Sequence, residues 1–218
     1  MDAVKGRDEL LQRVRTALHG RRCSDAGSGA IPVQAGAGSP AERVDLFRGR
    51  FEALGGTFVA GASAEAAARA VGEALRDEGV TALLVPDGDP AARALAEALA
   101  PLGPFRFAAP GEIRQAVPPV CAGIQTAEYA VAETGTLVQT SGGGRTLLPG
   151  LVTDVHVSLV APDAFVDRME ECLAALANNP PRNISFITGP SRTADIELTL
   201  TIGVHGPGKV IAVLLAGG

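Results

Sequence analysis

The chain has no tryptophan, one tyrosine and three cysteines in 218 residues. With so few aromatic side chains, its core must be mainly aliphatic. The cysteines Cys23, Cys121 and Cys172 are far apart, and none belongs to a C-x-x-C or Cys/His pattern. Their spacing is therefore not that of a zinc or iron–sulfur site, and we expect no metal and no cofactor bound by this chain alone.

Basic stripes and long apolar runs are also missing. The formal net charge is -5, and no Lys/Arg stripe with interleaved aromatics appears, which argues against a nucleic-acid partner. No apolar run approaches the ~20 residues that a helix needs to span a bilayer. The charged, amphipathic N-terminus also lacks the continuous apolar stretch of a signal peptide. We therefore expect a cytoplasmic protein without a membrane span.

The first 39 residues differ in pattern from the rest. Apolar side chains recur at helical spacing from Leu10 to Leu18, and the segment from Ser24 to Ser39 is rich in Gly, Ala and Ser. This pattern predicts a helix followed by a flexible linker. We expect residues 1–39 to form an appendage whose helix contacts a partner or a neighbouring subunit, and residues 40–218 to form the main domain.

From residue 40 onwards, helical patterns alternate with short apolar strands. Helices are predicted at 41–54, 64–77, 91–99 and 164–177, the last one capped by Asp163, and strands at 57–60, 81–85, 105–108, 120–124, 129–132, 135–140, 155–160, 184–188, 196–202 and 210–215. This alternation is typical of an α/β fold with a mostly parallel sheet and helices on both faces.

The turn between the strands 129–132 and 135–140 is the first candidate site. Gly135 frees the backbone to turn tightly, and Thr134 and Thr136 offer hydroxyl and N–H groups to a phosphate or carboxylate. Glu133 is a candidate base, nucleophile or metal ligand. The alternative is an ordinary β-turn in which Glu133 is solvated, and the motif alone favours that alternative.

A glycine-rich loop, Ser141 to Arg145, is the second candidate. Its glycines allow a ligand to approach the backbone, and Arg145 has the forked donors that suit a carboxylate or phosphate. The spacing is neither that of a P-loop nor that of a dinucleotide fingerprint. A flexible hairpin tip explains this loop equally well.

The third candidate follows the predicted strand 184–188. Gly189, Ser191, Arg192 and Thr193 stand there between apolar segments. Arg192 is a second candidate anion clamp, and the two hydroxyls could bind a ligand directly. Polar residues concentrated at the end of a buried strand are typical of ligand sites in α/β proteins, so we interpret this cluster as functional.

Three titratable residues extend this cluster. Asp195 and Glu197 share one face of an extended chain, where they could bind a cation or divide acid and base roles. His205, in a glycine-rich turn, is a candidate acid, base or ligand. The alternatives are an ion pair between Arg192 and Asp195 that pins a loop, and a His205 bonded to a backbone carbonyl. The catalytic candidates are thus Glu133, Glu197 and His205.

Several of these motifs resemble the lactate utilization protein C family, the LUD-domain proteins. The similar segments are AEYAVAETGTL from Ala127 to Leu137, the region of Pro149, Phe186 to Glu197, and Gly203 to Pro207. The resemblance implies a sheet of the NagB/RpiA/CoA-transferase type. It also implies a role in oxidising L-lactate to pyruvate with two iron–sulfur partner proteins, which would hold the clusters. It transfers no catalytic residue to this chain.

Two functions of different classes fit these observations. One is an accessory subunit of a lactate-oxidising system that binds a small carboxylate or phosphate near Glu133–Thr136, Arg145 and Ser191–His205. The other is a free-standing sugar-phosphate isomerase or CoA transferase that uses Glu133 or Glu197 as base or nucleophile. A binding module without chemistry is a third. All require that the segments around Thr134 and Arg192 meet, and all leave open whether the chain forms a homo-oligomer.

Overall fold

The computed structural model describes residues 12–13, 15–16, 38–61, 63–108, 119–194, 200–202 and 206–215. The chain divides into two units, Met1–Gln34 and Ala35–Gly218. In the first unit the described residues 12–13 and 15–16 are helical, and they fall within the predicted N-terminal helix. The architecture below is that of the second unit.

The described helices and strands of the second unit follow the predicted alternation. The helices are α1 (Pro40–Ala53), α2 (Ala64–Asp77), α3 (Pro90–Leu99), the single turn α4 (Leu148–Leu151) and α5 (Met169–Ala177). The strands are β1 (Thr57–Ala60), β2 (Ala82–Leu84), β3 (Arg106–Phe107), β4 (Cys121–Thr126), β5 (Tyr129–Val131), β6 (Thr136–Thr140), β7 (Val155–Val160), β8 (Phe165–Val166), β9 (Ile184–Ile187), β10 (Arg192–Ala194), β11 (Leu200–Ile202) and β12 (Lys209–Leu214).

Side-chain caps define where the first three helices begin. Ser39 and Glu42 form a capping box at the start of α1: the Ser39 N–H donates to Glu42 Oε2 at 2.7 Å, and the Glu42 N–H donates to Ser39 Oγ at 3.3 Å. Ser63 and Asp89 accept backbone N–H groups at the starts of α2 and α3. These polar residues precede each apolar helical pattern, so the helix starts could be predicted from the sequence.

Six strands form one sheet in the order β1-β12-β7-β4-β2-β3, and every pair in it is parallel. Helices α2 and α3 cover one face, where Leu75 and Leu99 pack with Ile124 and Ile211 in an aliphatic core. Helix α1 covers part of the other face with two buried phenylalanines. The predicted α/β class, a mostly parallel sheet with helices on both faces, is confirmed.

A second sheet, in the order β8-β5-β6-β9, also lies on the α1 face of the first sheet. The prediction of a helix over 164–177 is wrong in its first part, because Phe165 and Val166 instead form β8 beside Ala130 and Val131. Phe165 stacks edge-on against Phe47, with ring centroids 5.4 Å apart. Asp163 therefore caps no helix, and α5 begins only at Met169.

A polar layer is buried between the two sheets. The His156 Nδ1–H donates to the Gly123 carbonyl at 3.2 Å, and His156 Nε2 accepts from Gln139 Nε2 at 2.8 Å. Gln139 Nε2 also lies 3.3 Å from Ser158 Oγ. Burial lowers the pKa of His156 to about 4, so its ring is neutral at pH 7 and serves to join the sheets.

Among the helices that the structure describes, none combines the length and the apolar character needed to cross a membrane.

Candidate functional site

Three threonine hydroxyls form a chain beside the turn that joins β5 to β6. Thr134 Oγ1 and Thr136 Oγ1 are 2.7 Å apart, and Thr136 Oγ1 and Thr188 Oγ1 are 3.1 Å apart. Thr136 and Thr188 come together because β6 and β9 are antiparallel, with Leu137 opposite Ile187. The segment around Thr134 therefore meets the start of the polar segment that contains Arg192.

Gly135 lets the end of helix α1 approach this turn. Its φ is 65°, and a Cβ at this position would lie only 2.5 Å from the backbone nitrogen of Phe51. A side chain could not fit without moving the helix. The tight turn thus lies directly against the last turn of α1, at the backbone of Arg50 and Phe51.

Arg192 contacts the end of helix α1 near the threonine hydroxyls. Its Nη2 donates to the Leu54 carbonyl at the end of α1. A cavity of about 280 Å³ is lined by Leu54, Thr188, Gly189, Pro190 and Arg192. We call this cavity the threonine–arginine pocket. Its lining offers a guanidinium and a hydroxyl, the donors that bind carboxylates and phosphates.

The pocket lies near the amino ends of two strands of the large sheet. Gly55, whose hypothetical Cβ would lie 3.1 Å from Arg192 Nη2, comes two residues before β1. The Ser191 N–H donates to the Pro207 carbonyl at 2.8 Å, and Pro207 comes two residues before β12. Parallel sheets more commonly hold ligands at their carboxyl ends. The pocket instead lies at the carboxyl end of β9, in the second sheet.

Glu133 makes structural contacts rather than facing the pocket. Its Oε1 accepts the Met169 N–H at 3.1 Å, at the start of α5, and its own N–H donates to the Asp167 carbonyl at 3.1 Å. A carboxylate at a helix N-terminus is favourable both as an acceptor and through the helix dipole. Glu133 therefore anchors α5, and its catalytic role stays a prediction.

Arg145 lies away from the threonine–arginine pocket. Thr136 and Thr140 are the first and last residues of β6, four residue steps apart, which is a span of about 13 Å in an extended strand. At the Thr140 end, Arg145 Nη2 contacts Glu128 Oε1, and Thr140 Oγ1 donates to the same oxygen at 3.2 Å. The two arginines predicted to share one site therefore occupy opposite ends of the β6–β9 pair.

A model of the LUD domain family matches residues 44–215. The chain belongs to the LUD-domain family. Lactate utilization protein C of Exiguobacterium sp. is 37% identical over 99 residues, which cover 43% of each chain. Lactate utilization protein C of Bacillus subtilis is 34% identical over 100 residues, which cover 43% of this chain and 42% of that protein. This LUD-domain chain thus aligns with less than half the length of these curated relatives.

A solved structure supports the fold of this LUD domain. The crystal structure of a DUF162 family protein from Deinococcus radiodurans superposes with a TM-score of 0.58 at 19% sequence identity. The alignment covers 82% of this chain and 99% of that one. At this level of identity the comparison confirms the fold alone, and the family resemblance first noted in the sequence motifs is confirmed by the family model.

Four further residues of the LUD domain that were predicted to belong to the site lie in β10 or outside the described residues. Thr193 lies in β10, which is antiparallel to β11 and has Thr193 opposite Thr201, so Thr193 belongs to a strand rather than to a loop. Asp195, Glu197 and His205 lie outside the described residues. Their proposed acid, base and ligand roles therefore stay predictions.

Three chemical groups that take part in these contacts were not predicted from the sequence. They are the Thr188 hydroxyl, the Leu54 carbonyl and the Glu128 carboxylate. Thr188 had a usable signal, because it ends a predicted strand directly before Gly189-Pro190. The Leu54 carbonyl had a weaker one, the Gly55-Gly56 pair that ends a helix. Glu128 had none, because its contact with Arg145 depends on how the hairpin after β6 folds back.

Proposed function

We propose that this LUD-domain chain is an accessory component of an L-lactate-oxidising system, works with iron–sulfur partner proteins, and binds a small carboxylate or phosphate in the threonine–arginine pocket. The observation that carries the proposal is the chain of hydroxyls from Thr134 to Thr188 beside the Arg192 guanidinium. The relatives named lactate utilization protein C support the metabolic part of the proposal.

The pocket suits a small anion on physical grounds. The bond to the Leu54 carbonyl uses one of the five N–H donors of Arg192 and orients the guanidinium, and among the described residues no second bond to these donors is formed, so they can bind a ligand. The Thr188 hydroxyl adds a donor at the same cavity. A volume of about 280 Å³ lies at the lower end of the range of ligand sites, which favours a ligand with a few carbon atoms.

In this proposal the chain binds and orients the ligand, and iron–sulfur clusters held by the partner proteins would supply the electron-accepting chemistry. The alternative, a free-standing isomerase or CoA transferase, needs a carboxylate that faces the ligand. Glu133 is directed to the Met169 N–H instead, where it stabilises the start of α5. The geometry therefore favours binding over covalent or acid–base chemistry at this residue.

The first test measures binding of lactate, pyruvate and inorganic phosphate by calorimetry. We expect Arg192→Ala to weaken binding by about 10- to 100-fold, because a hydrogen bond to a charged group contributes about 1.5–3 kcal/mol. The matched control is Arg48→Ala: Arg48 is exposed on α1 and pairs with Glu52 of the same helix. Equal binding by the Arg192→Ala variant and the wild-type chain would reject the assignment of the pocket.

The second test is reconstitution. Lactate-dependent dye reduction is measured with the iron–sulfur proteins of the same system, with and without this chain. We expect the wild-type chain and Arg48→Ala to support the reaction and Arg192→Ala to support it poorly. Lactate oxidation at the full rate without the chain would reject the accessory role.

A further inference from the structure

A second, larger cavity lies at the other end of the β6–β9 pair. It has a volume of about 790 Å³, and Arg145 and Arg182 both line it; we call it the arginine cavity. We propose that it binds an organic anion of cofactor size, with a phosphate or carboxylate at one end and an apolar portion at the other. This site is distinct from the threonine–arginine pocket, and the proposal does not depend on the lactate role.

The charge of the lining favours an anion. Among the described residues that line the cavity there are two arginines and no aspartate or glutamate, although the chain as a whole carries a net charge of -5. Glu128 contacts Arg145 from outside the lining and is itself held by the Thr140 hydroxyl. The guanidinium of Arg145 is thereby oriented through one of its donors, and its other donors, which bond to no residue in the described part of the chain, can bind a ligand.

The polar wall of the cavity is held together by hydrogen bonds. The Ser141 N–H donates to the Asn183 carbonyl at 3.0 Å, and the Asn183 N–H donates to Ser141 Oγ at 3.0 Å. The Gly88 N–H donates to the Gly144 carbonyl at 3.3 Å and ties the hairpin 142–145 to the loop after β2. Because these groups are ordered before a ligand arrives, binding costs less conformational entropy.

The remaining wall is apolar and partly uncovered. It consists of Leu147, Leu148, Leu151 and Ile184, and Leu151 is 49% exposed. A ligand with an apolar portion would remove this leucine from water, which is favourable in proportion to the buried area. The volume of about 790 Å³ is within the range of sites for cofactor-sized ligands and nearly three times that of the threonine–arginine pocket.

The hairpin that carries Arg145 also stands where α/β sheets commonly bind ligands. Gly88 follows β2, and Glu128 follows β4, so both contacts of the hairpin are at the carboxyl ends of adjacent parallel strands. Within the sheet, β2 and β4 are neighbours: β3 lies on the far side of β2, and β7 lies on the far side of β4. The connection after β2 therefore leads to one side of this pair, and the connection after β4 leads to the other side. In α/β sheets, ligands usually bind in the crevice at the carboxyl ends of two neighbouring strands between which the strand order reverses, as it does between β2 and β4.

The test uses two probes that differ only in their apolar portion, methyl phosphate and hexyl phosphate. Each fully buried methylene tightens binding about fourfold. Even with partial burial we expect hexyl phosphate to bind at least about tenfold more tightly than methyl phosphate. Hexanoate, measured beside hexyl phosphate, shows which head group the arginines prefer.

Two variants separate the charged and apolar contributions. Arg182→Ala should weaken both phosphates about tenfold, because it removes a guanidinium from the anion. Leu151→Ser should weaken hexyl phosphate and leave methyl phosphate unchanged. Both side chains are exposed, so both variants should fold, and Arg48→Ala again serves as the control for a lost charge.

Three results would overturn the proposal. Methyl and hexyl phosphate could bind equally, which would exclude a contribution of the apolar wall. Arg182→Ala could bind hexyl phosphate as the wild-type chain does. Arg192→Ala could abolish hexyl phosphate binding while Arg182→Ala does not, which would move this ligand to the threonine–arginine pocket. None of these results bears on whether lactate oxidation needs the chain, so the two proposals fail separately.

Discussion

The close contact between Gly135 and helix α1 can be tested by a single methyl group. At Gly135→Ala the new Cβ would lie 2.5 Å from the backbone nitrogen of Phe51 and 2.9 Å from the carbonyl carbon of Arg50. Neither neighbour is a flexible side chain, so the helix or the turn must move. The φ of 65° adds a second cost, because alanine is strained in the left-handed region.

The size of each cost can be estimated. The left-handed conformation costs an alanine roughly 1–2 kcal/mol, and overpacking by one methyl group costs a further 1–3 kcal/mol. We therefore expect Gly135→Ala to lower the free energy of unfolding by about 2–5 kcal/mol. Gly143→Ala is the matched control: its φ is 57°, but nothing lies within 4 Å of its Cβ. It should lose only about 1–2 kcal/mol.

Urea unfolding followed by far-ultraviolet circular dichroism measures both variants, since the chain has no tryptophan to report by fluorescence. The slope of the free energy against urea should stay the same, because the folded core is unchanged in extent. Equal losses in Gly135→Ala and Gly143→Ala would refute the close approach of α1 to the turn. The geometry deduced for the threonine–arginine pocket would then be wrong as well.

Three further measurements check other parts of the fold. Asp89 is 2% exposed, and its carboxylate accepts the Thr126 N–H and hydroxyl as well as a helix N–H, so Asp89→Ala should lower the free energy of unfolding in urea by about 2–4 kcal/mol. Ser63→Ala, which removes a cap without a link to another strand, should lower it by about 1 kcal/mol, and equal losses would argue against the link from Asp89 to β4. Burial lowers the pKa of His156 in the folded chain from 6.5 to about 4, so between these pH values the unfolded chain binds a proton that the folded chain does not, and stability falls as the pH drops. From pH 7 to pH 5 the free energy of unfolding should decrease by about 2 kcal/mol. A similar decrease in His156→Gln would assign the pH dependence to other groups. Burial raises the pKa of the Cys172 thiol to about 11, so iodoacetamide at pH 8 should label this thiol much more slowly in buffer than in urea. Similar labelling rates in buffer and in urea would contradict the burial of Cys172.

Local patterns were sufficient to predict most helices and strands. The predicted ranges 57–60, 64–77 and 155–160 coincide with β1, α2 and β7. The helix α2 has apolar residues at helical spacing and a serine cap, β7 alternates apolar and polar residues in its first half, and β1 is a short apolar run directly after the Gly55-Gly56 pair. These signals are contained in a few consecutive residues, so they do not depend on the rest of the fold.

Strand β8 shows where local patterns failed. Phe165 and Val166 precede a helical pattern and were predicted to belong to that helix. They form a strand because Ala130 and Val131, far earlier in the chain, offer a parallel partner and Phe47 offers a ring to pack against. A two-residue strand has too little periodicity of its own to be recognised without that partner.

The candidate sites divide in the same way. The glycines near Thr134, Thr136, Arg145 and Arg192 could be recognised from single segments, and so could the anion-binding donors of these residues. Which of these residues share a site depends on the fold. The register of β6 against β9 joins Thr136 to Thr188 and carries Arg145 to the opposite end of the same pair, and such long-range pairing is written in no one segment.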